Sequence, residues 1–573
     1  MQRKLLLLGV IFLAAFSMSK AERYARYNYV GYFPKSLKRI VIMSDSECAG
    51  TAWDIKDQAK KSAMSGVVAK SIFGKGDHTP FPYNYDVDFS SLTTEGVYHF
   101  EMKGISDVQI IINKDILRPV ISSNLHFLYA HRSGTKDCVD REPGHFGDSA
   151  SFIVHRKGSD NTDTTWSPGA IRRKINMLGG WYDGTLFIKF TASIAYTTYY
   201  LLRSYELDPG LFGKKFSKTD LVDVLDNAKS GCDYLLKVMP NDSEFIIQVG
   251  GFKYNDLGTH LPNKDPLNGK RESYSIISPP QMASAAAALA LGSSVFGSTG
   301  KKEDADKYKQ MAIKLFAKAA ASQNPPAWLE KDETEYYKDE KSADNLELAA
   351  IELYRCTKED SYLQKAQKYA ATAKGAGWIA WSDQNLPANE RVLEHSPQTK
   401  KFVLDDLNEF LTTAKGNGNI WSLPVEYTSQ GLYSYMEAAS GVLRYQLSTS
   451  DKKYEQMGQH LLDYALGCNN WGANFVSLQS VKQSVRNVFS QIYRLQMRFY
   501  PEGSIVPGPV DAKTQNEDVW CCFDKTAEPT YPFNTDKVSF FDNVDDESCM
   551  STTITGVADG IYLFTLATKT YGE

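Results

Sequence analysis

The chain has 573 residues, with 64 basic and 68 acidic side chains and a formal net charge of −4. Its composition, 42% hydrophobic and 12% aromatic, excludes a disordered, collagen-like or coiled-coil chain and favours a large folded protein. The near-neutral balance also argues against nucleic acid or an anionic membrane surface as the main partner, because binding to either requires a basic patch.

The N-terminus has the pattern of a secretory signal peptide over residues 1–21. Arg3 and Lys4 precede an apolar run at 5–16, and small residues stand three and one positions before a cut after Ala21. The run is shorter than the ~20 residues needed to span a membrane. We therefore expect an exported protein with no membrane span, in the periplasm or outside the cell.

The cysteines are too sparse for a disulfide scaffold, with eight in the whole chain. An even number is compatible with disulfides in an oxidising compartment. Cys232, Cys356 and Cys468 lie in helical patterns and fit buried apolar positions. Adjacent Cys521 and Cys522 could pair with other cysteines, and the sequence leaves that pairing open.

Two kinds of periodicity divide the remaining chain. From about residue 24 to 115, short β-rich runs alternate with turn residues, and Tyr98, Phe100 and Met102 fall on one face of a strand. This pattern predicts a small β-sandwich. After about residue 117 the apolar residues recur at helical spacing.

Four helical stripes carry this second pattern. The first contains Leu221, Leu225, Ala228, Cys232, Leu235 and Met239; the others begin at Tyr308, Tyr362 and Tyr454. Repeated helix–loop–helix units predict an array of αα-hairpins. The period alone leaves a solenoid and a closed toroid equally open.

Characteristic segments follow one another along the chain at 28–34, 127–134, 179–183, 227–237 and 463–469. They resemble the glycoside hydrolase family 9 cellulases that carry an N-terminal immunoglobulin-like domain. The resemblance implies an Ig-like β-sandwich over 22–116 followed by an (α/α)6 barrel over 117–573. It also implies β-1,4-glucan as the partner, a reaction with inversion and, in many family members, bound calcium. No metal ligands are assigned from the sequence.

Inverting hydrolysis requires two carboxyl groups roughly 6.5–9.5 Å apart, one to protonate the leaving oxygen and one to deprotonate water. In the family pattern, the base loop carries two aspartates three positions apart, and the second is the base. Asp183 matches the first, but Leu186 stands at the second. Asp183 is therefore either a remnant of the site or a residue kept for loop structure.

The general acid of the family is a glutamate near the C-terminus. The best match is the segment 548–556, which places Thr553 at the position of the acid. Leucine and threonine do not exchange protons at neutral pH, so we expect a chain that is inactive or very weak as an enzyme. Glu547, six residues upstream, is the candidate for a displaced acid.

A third feature of the family is also missing. The family continues with a His-Arg motif that grips the sugar, whereas all nine histidines lie at or before His460. Residues 481–499 do not resemble the family loop.

A cleft without its acids could still bind sugar through aromatic rings, because pyranose C–H faces stack on them. The candidates are Trp181, Tyr182, Trp378, Trp421, Tyr427 and Trp471. Each could instead be a buried core ring, and Trp381 could share a helix face with Trp378.

Three hypotheses remain. The first is an exported pseudoenzyme that binds β-glucan. The second is an active inverting endoglucanase with relocated carboxylates, with Glu547 or Asp545 as the acid. The third is a structural or interaction protein of the cell envelope.

Overall fold

The computed structural model describes residues 22–156, 166–167, 173–251, 260–266, 271–322, 324, 326, 336–375, 380–416, 418–428, 431–496, 498–517 and 523–572. The side chains of residues 106 and 107 are not described.

The N-terminal part is a β-domain of two antiparallel sheets, ordered β1-β2-β5 and β4-β3-β6-β7. Its strands are β1 (Arg23–Arg26), β2 (Arg39–Ser44), β3 (Ala52–Asp57), β4 (Ser62–Val67), β5 (Tyr83–Asp88), β6 (Gly96–Met102) and β7 (Ile105–Ile112). The predicted alternation is confirmed in β6, where Tyr98, Phe100 and Met102 are buried between the sheets. This core is separate from that of the helical part.

The helical part begins at Arg118. Its helices are α1 (Arg118–His131), α2 (Thr191–Leu207), α3 (Asp223–Leu235), α4 (Pro279–Ser298), α5 (Lys302–Ser322), α6 (Ala343–Thr357), α7 (Asp360–Ala373), α8 (Asn385–Val392), α9 (Pro397–Ala414), α10 (Gly431–Thr449), α11 (Glu455–Ala465), α12 (Gln491–Leu495), α13 (Ala512–Glu517), α14 (Glu547–Met550) and α15 (Ile554–Tyr571).

Short strands join the helices. β8 (Ser151–Arg156), β9 (Trp166–Ser167), β10 (Lys174–Ile175), β11 (Lys189–Phe190), β12 (Ile246–Val249) and β13 (Glu272–Ser275) form one mixed sheet, and β14 (Val510–Asp511) pairs with β15 (Val538–Ser539).

Six helices close a ring, in which α2, α4, α6, α8, α10 and α15 each pack on the next and α15 returns to α2. Helices α3, α5, α7, α9 and α11 pack outside their ring partners, and α1 packs on α15. This is the (α/α)6 barrel, so the toroid is the correct alternative. The sequence explains the two layers. The ring helix α4 is apolar on all its faces, whereas α5 buries only the stripe of Tyr308, Ala312, Leu315 and Ala319.

A buried network of ions occupies the C-terminal ends of the ring helices. The Arg391 guanidinium on α8 lies 2.6 Å from Glu352 of α6 and 3.0 Å from Glu206 of α2. Tyr199 donates a hydrogen bond to Glu352 at 2.9 Å. Burial alone would raise the pKa of Glu206, but Arg391 and two further arginines overcome it and lower that pKa to about 2. The network joins three of the six ring helices by charge-assisted contacts.

The β-domain is fixed to the barrel by buried hydrogen bonds. Asn28 donates to the Asp463 carboxyl at 2.9 Å, and Arg26 donates to the carbonyl of Asn470 at 2.8 Å. Burial raises the pKa of Asp463 to about 7. The two domains therefore share a polar contact that excludes water.

Six cysteines, at positions 48, 138, 232, 356, 468 and 549, are free thiols; Cys521 and Cys522 lie outside the described residues. Cys232 and Cys468 are buried as predicted, and Cys356 is half-buried. In the described part of the chain, every helix is too short or too polar to cross a membrane.

Candidate active site

Two segments far apart in the sequence meet at the N-terminal ends of α2 and α15. Ile554 donates its N–H to the Asp183 carbonyl at 2.7 Å, and the Thr185 hydroxyl donates to the Thr552 carbonyl at 3.0 Å. Gly184 has φ +125°, and a Cβ there would lie 2.4 Å from the Thr552 carbonyl oxygen. Only glycine allows this approach, which brings the loop of Asp183 against Thr553.

Asp183 is buried, with 7% of its surface exposed. The Tyr337 hydroxyl donates to its carboxylate at 2.6 Å, and Ser193 supplies a second hydrogen bond. Burial raises the pKa of Asp183 to about 6, although both hydrogen bonds act to lower it. The carboxyl group is therefore held by protein donors and titrates near neutrality.

The family resemblance places a base at position 186 and an acid at position 553. The side chains found there, Leu186 and Thr553, have structural roles instead. Leu186 is half-buried and packs on an apolar cluster that includes Ile188, Phe190 and Tyr337. The Thr553 hydroxyl accepts the Gly556 N–H at 3.2 Å and so caps α15. Neither side chain ionises, and Asp183 is left without a carboxyl partner at these two positions.

The displaced-acid candidate lies on the same C-terminal segment. Glu547 is half-buried as the first residue of α14. Its exposed neighbour Asp545 lies 3.4 Å from the Arg494 guanidinium. A role for Glu547 or Asp545 as a proton donor stays a prediction.

Most of the aromatic candidates belong to the core. Trp181 and Tyr182 have no exposed surface. The Trp421 indole donates to the His78 carbonyl at 2.8 Å, and the Tyr427 hydroxyl lies 3.5 Å from the His78 ring. In this structure Trp181 and Tyr182 fill the barrel core, and Trp421 and Tyr427 pack at the contact with the β-domain. Sugar binding by these four rings stays a prediction.

Trp471 is buried in the same way. It is 6% exposed, its indole donates to Asn534 at 2.6 Å, and its ring packs on Phe540 at 5.7 Å. A buried ring offers no face to a sugar in this conformation. Trp378 lies outside the described residues.

Other aromatic rings pack near Tyr337, the hydrogen-bond donor to Asp183. The Tyr337 ring lies 4.6 Å from Trp381, and the Tyr336 ring stacks on Phe190 at 6.3 Å. Tyr336 is 48% exposed and Trp381 is half-buried. We call Tyr336 and Trp381 the aromatic surface; Leu186 packs beside it. Sequence reasoning missed the Tyr336–Tyr337 pair; its signal was two adjacent tyrosines in the segment before α6, at the same end of the barrel as Asp183.

The sequence assigned no metal ligands, and the structure adds none among the residues that it describes. Among the described residues, no group of three or more His, Cys, Asp or Glu side chains is placed to hold a metal ion. Calcium stays an expectation from the resemblance.

Comparison with known proteins agrees with this fold. The glycosyl hydrolase family 9 model matches residues 118–563, and the model of the cellulase N-terminal Ig-like domain matches residues 20–107. The chain belongs to glycosyl hydrolase family 9, with an N-terminal domain of the Ig-like cellulase type.

Two curated relatives are similar over most of this chain. Endoglucanase C of Cellulomonas fimi is 26% identical over 547 residues, covering 84% of this chain and 47% of the relative. Cellodextrinase of Butyrivibrio fibrisolvens is 23% identical over 493 residues, covering 78% of this chain and 84% of the relative. The chain thus spans about half the length of Endoglucanase C.

Solved structures show the same fold. A metagenome-derived glycoside hydrolase family 9 endoglucanase superposes with a TM-score of 0.78 at 19% identity, covering 96% of this chain and 99% of the other. A family 9 protein of Bacteroides ovatus gives a TM-score of 0.76 at 19% identity, with 95% and 98% covered. At these identities the likeness establishes the architecture alone.

The raised pKa of Asp183 gives a pH-dependent prediction. Because the folded state binds the proton more tightly than the unfolded chain, the wild type should lose stability as the pH rises from about 4 through 6. Asp183→Asn should remove this loss and raise the free energy of unfolding at pH 7.5 by about 3 kcal/mol at most, with no gain at pH 3.5. Denaturant unfolding at both pH values measures it. Asp536→Asn, at an exposed position, is the control, and an equal gain for Asp183→Asn at both pH values would contradict the assignment.

Proposed function

We propose that this protein binds β-1,4-glucan at the N-terminal end of its barrel and does not hydrolyse it at an appreciable rate. The observation that carries the proposal is the pair Leu186 and Thr553. The family resemblance assigns them to the two proton-transfer positions, and contacts of the Asp183 loop with the C-terminal segment hold the two segments side by side. Each positioned proton-transfer group contributes typically ~10²–10⁴-fold to rate.

The aromatic surface supports the binding half of the proposal. Tyr336 and Trp381 present partly exposed rings beside Asp183, at the end of the barrel where a glucan chain would lie across the ring helices. An exposed ring supplies a flat apolar face at low entropic cost, and its polar edge stays wet. We place the protein outside the cytoplasm on the pattern of residues 1–21.

Removal of the rings should weaken glucan binding. We expect Trp381→Ala to reduce retention on amorphous cellulose at least tenfold, with a smaller loss for Tyr336→Ala, because the stacking faces are gone. A pull-down across a range of protein concentrations measures retention. Tyr531→Ala is the matched control, because Tyr531 is also an exposed tyrosine, at 47%. It lies away from the aromatic surface, two residues before Phe533, and the Phe533 ring packs on Phe81 of the β-domain. Equal retention of all four proteins would refute this surface.

Two other functions give distinct results in the same experiments. An active endoglucanase with a relocated acid would release reducing sugar and lose that activity in Glu547→Gln. A scaffold protein of the envelope would show neither hydrolysis nor retention on glucan.

A further inference from the structure

Two adjoining cavities of about 670 and 470 Å³ lie beside α1; the smaller lies where the β-domain meets the barrel, and the larger is lined by residues of the barrel. They share Ser123 and Ser480, and we call the two together the interdomain groove. Both volumes are typical of small-molecule sites, which measure ~300–1,000 Å³. Within the described chain, the lining residues are separate from the Asp183 loop and from the aromatic surface.

The lining of the interdomain groove combines ring faces with uncharged polar groups. The half-buried rings are Tyr29, Phe216, Phe499 and Tyr500, and the amides are Gln109, Gln479 and Gln483. Apolar walls with a few placed polar groups are the usual composition of a ligand site. Rings together with amides and hydroxyls suit a ligand with apolar C–H faces and a rim of hydroxyl groups.

Several polar groups in the wall are already oriented. The Glu502 carboxylate accepts hydrogen bonds from the Ser123 hydroxyl and from the Gln479 N–H at 2.9 Å. His126 lies 3.4 Å from Asp140. Among the described residues, His126 Nδ1 and Asp140 Oδ2 are buried atoms without a hydrogen-bond partner. Buried polar atoms are normally paired, so a ligand hydroxyl here would satisfy groups that the protein leaves open.

The charges of the groove balance. Lys215 and Lys482 contribute two positive charges, and Asp140 and Glu502 contribute two negative charges. An anion site or a cation site would carry an excess of one sign. The balance therefore favours an uncharged ligand.

Part of the groove is built by the segment 481–499, which does not resemble the family's sugar-gripping loop. Residues 481–483 and 499 of that segment line it. Its base is fixed, because Gly503 donates to the Ser477 carbonyl and Ser477 donates to the Ser504 carbonyl, both at 2.8 Å. Walls held in this way need little ordering on binding.

We propose that the interdomain groove is a second binding site, which takes a neutral oligosaccharide such as a segment of a glucan chain. The site is independent of the aromatic surface and retains a chain on the side of the barrel.

Calorimetric titration of the full-length protein with cellohexaose tests the proposal. We expect two equivalents to bind the wild type and one to bind Ser480→Trp, in which an indole fills the junction of the two cavities. Ser322→Trp, at an exposed position at the end of α5, should bind two and serves as the control. Phe499→Ala is the second variant if Ser480→Trp fails to fold, and it should also bind one.

The combinations of outcomes separate the two sites. One equivalent that is lost in Ser480→Trp but kept in Trp381→Ala supports the groove and refutes the aromatic surface. One equivalent that is lost only in Trp381→Ala overturns the groove. Binding of an acidic hexasaccharide of galacturonate to the groove, with no binding of cellohexaose, overturns the neutral class. No binding of either probe overturns the groove as a whole.

Discussion

Replacing Leu186 with aspartate and Thr553 with glutamate together is expected to raise hydrolysis of amorphous cellulose at least about 100-fold above the wild-type rate. The double variant restores a carboxyl group on each of the two segments that meet beside Asp183. An inverting reaction needs both proton transfers, so each single variant should stay close to the wild-type rate. Release of reducing sugar over several hours measures the gain.

The matched control is the double variant Leu186→Asn with Thr553→Gln, which has nearly the same shape and no acid groups. It should remain at the wild-type rate. Because Thr553 caps α15, both double variants should lose roughly 1 kcal/mol of stability, and this shared cost cancels in the comparison. If the two double variants hydrolyse glucan equally, carboxyl groups at positions 186 and 553 do not determine the rate of hydrolysis.

The second large effect concerns the ion network at the other end of the barrel. Arg391→Met is expected to lower the free energy of unfolding by about 2–3 kcal/mol, because the buried Glu352 carboxylate would lose its nearest guanidinium and keep only Arg355, at 3.4 Å, and the Tyr199 hydroxyl. Glu352 has no exposed surface, and Arg391 contacts both it and Glu206. The same network should weaken in acid, since the lowered pKa of Glu206 gives stability that is present above pH 4.5 and is lost as the pH falls towards 2. Urea unfolding at pH 7 measures the effect of the substitution.

Lys307→Met is the control for this experiment. Lys307 also forms an ion pair, at 2.7 Å from Glu303, but both side chains are more than half exposed. Exposed pairs contribute about 0–1 kcal/mol, so this variant should unfold almost like the wild type. Equal losses in the two variants would show that burial does not govern the network.

Much of the fold could be predicted from sequence because it depends on local periodicity. The alternation of Tyr98, Phe100 and Met102 predicted a strand, and the stripe from Tyr308 to Ala319 predicted a helix with one buried face. The stripe that begins at Leu221 was also correct in its buried face, although the helix itself covers only Asp223–Leu235. Closure of the ring could not be predicted from the period, because the contact between α15 and α2 joins distant parts of the chain.

The site was predicted less completely. The positions of Asp183, Leu186 and Thr553 came from the family resemblance. The burial of Trp181 and Trp421 could not be predicted from that resemblance. A tryptophan in a loop-like stretch has the same sequence pattern whether it faces a cleft or packs against a second domain. The hydrogen bond from Tyr337 to Asp183 was also hidden, since the two residues lie 154 positions apart. Such contacts depend on which helices become neighbours.

The most direct test of the central claim is the fate of cellohexaose incubated for a day with the wild-type protein and then separated by mass. We expect the hexasaccharide to be recovered intact, with a fraction retained by the protein. Shorter cellodextrins, formed at a rate that Asp183→Asn or Glu547→Gln abolishes, would contradict the claim and show that this barrel still cleaves its ligand.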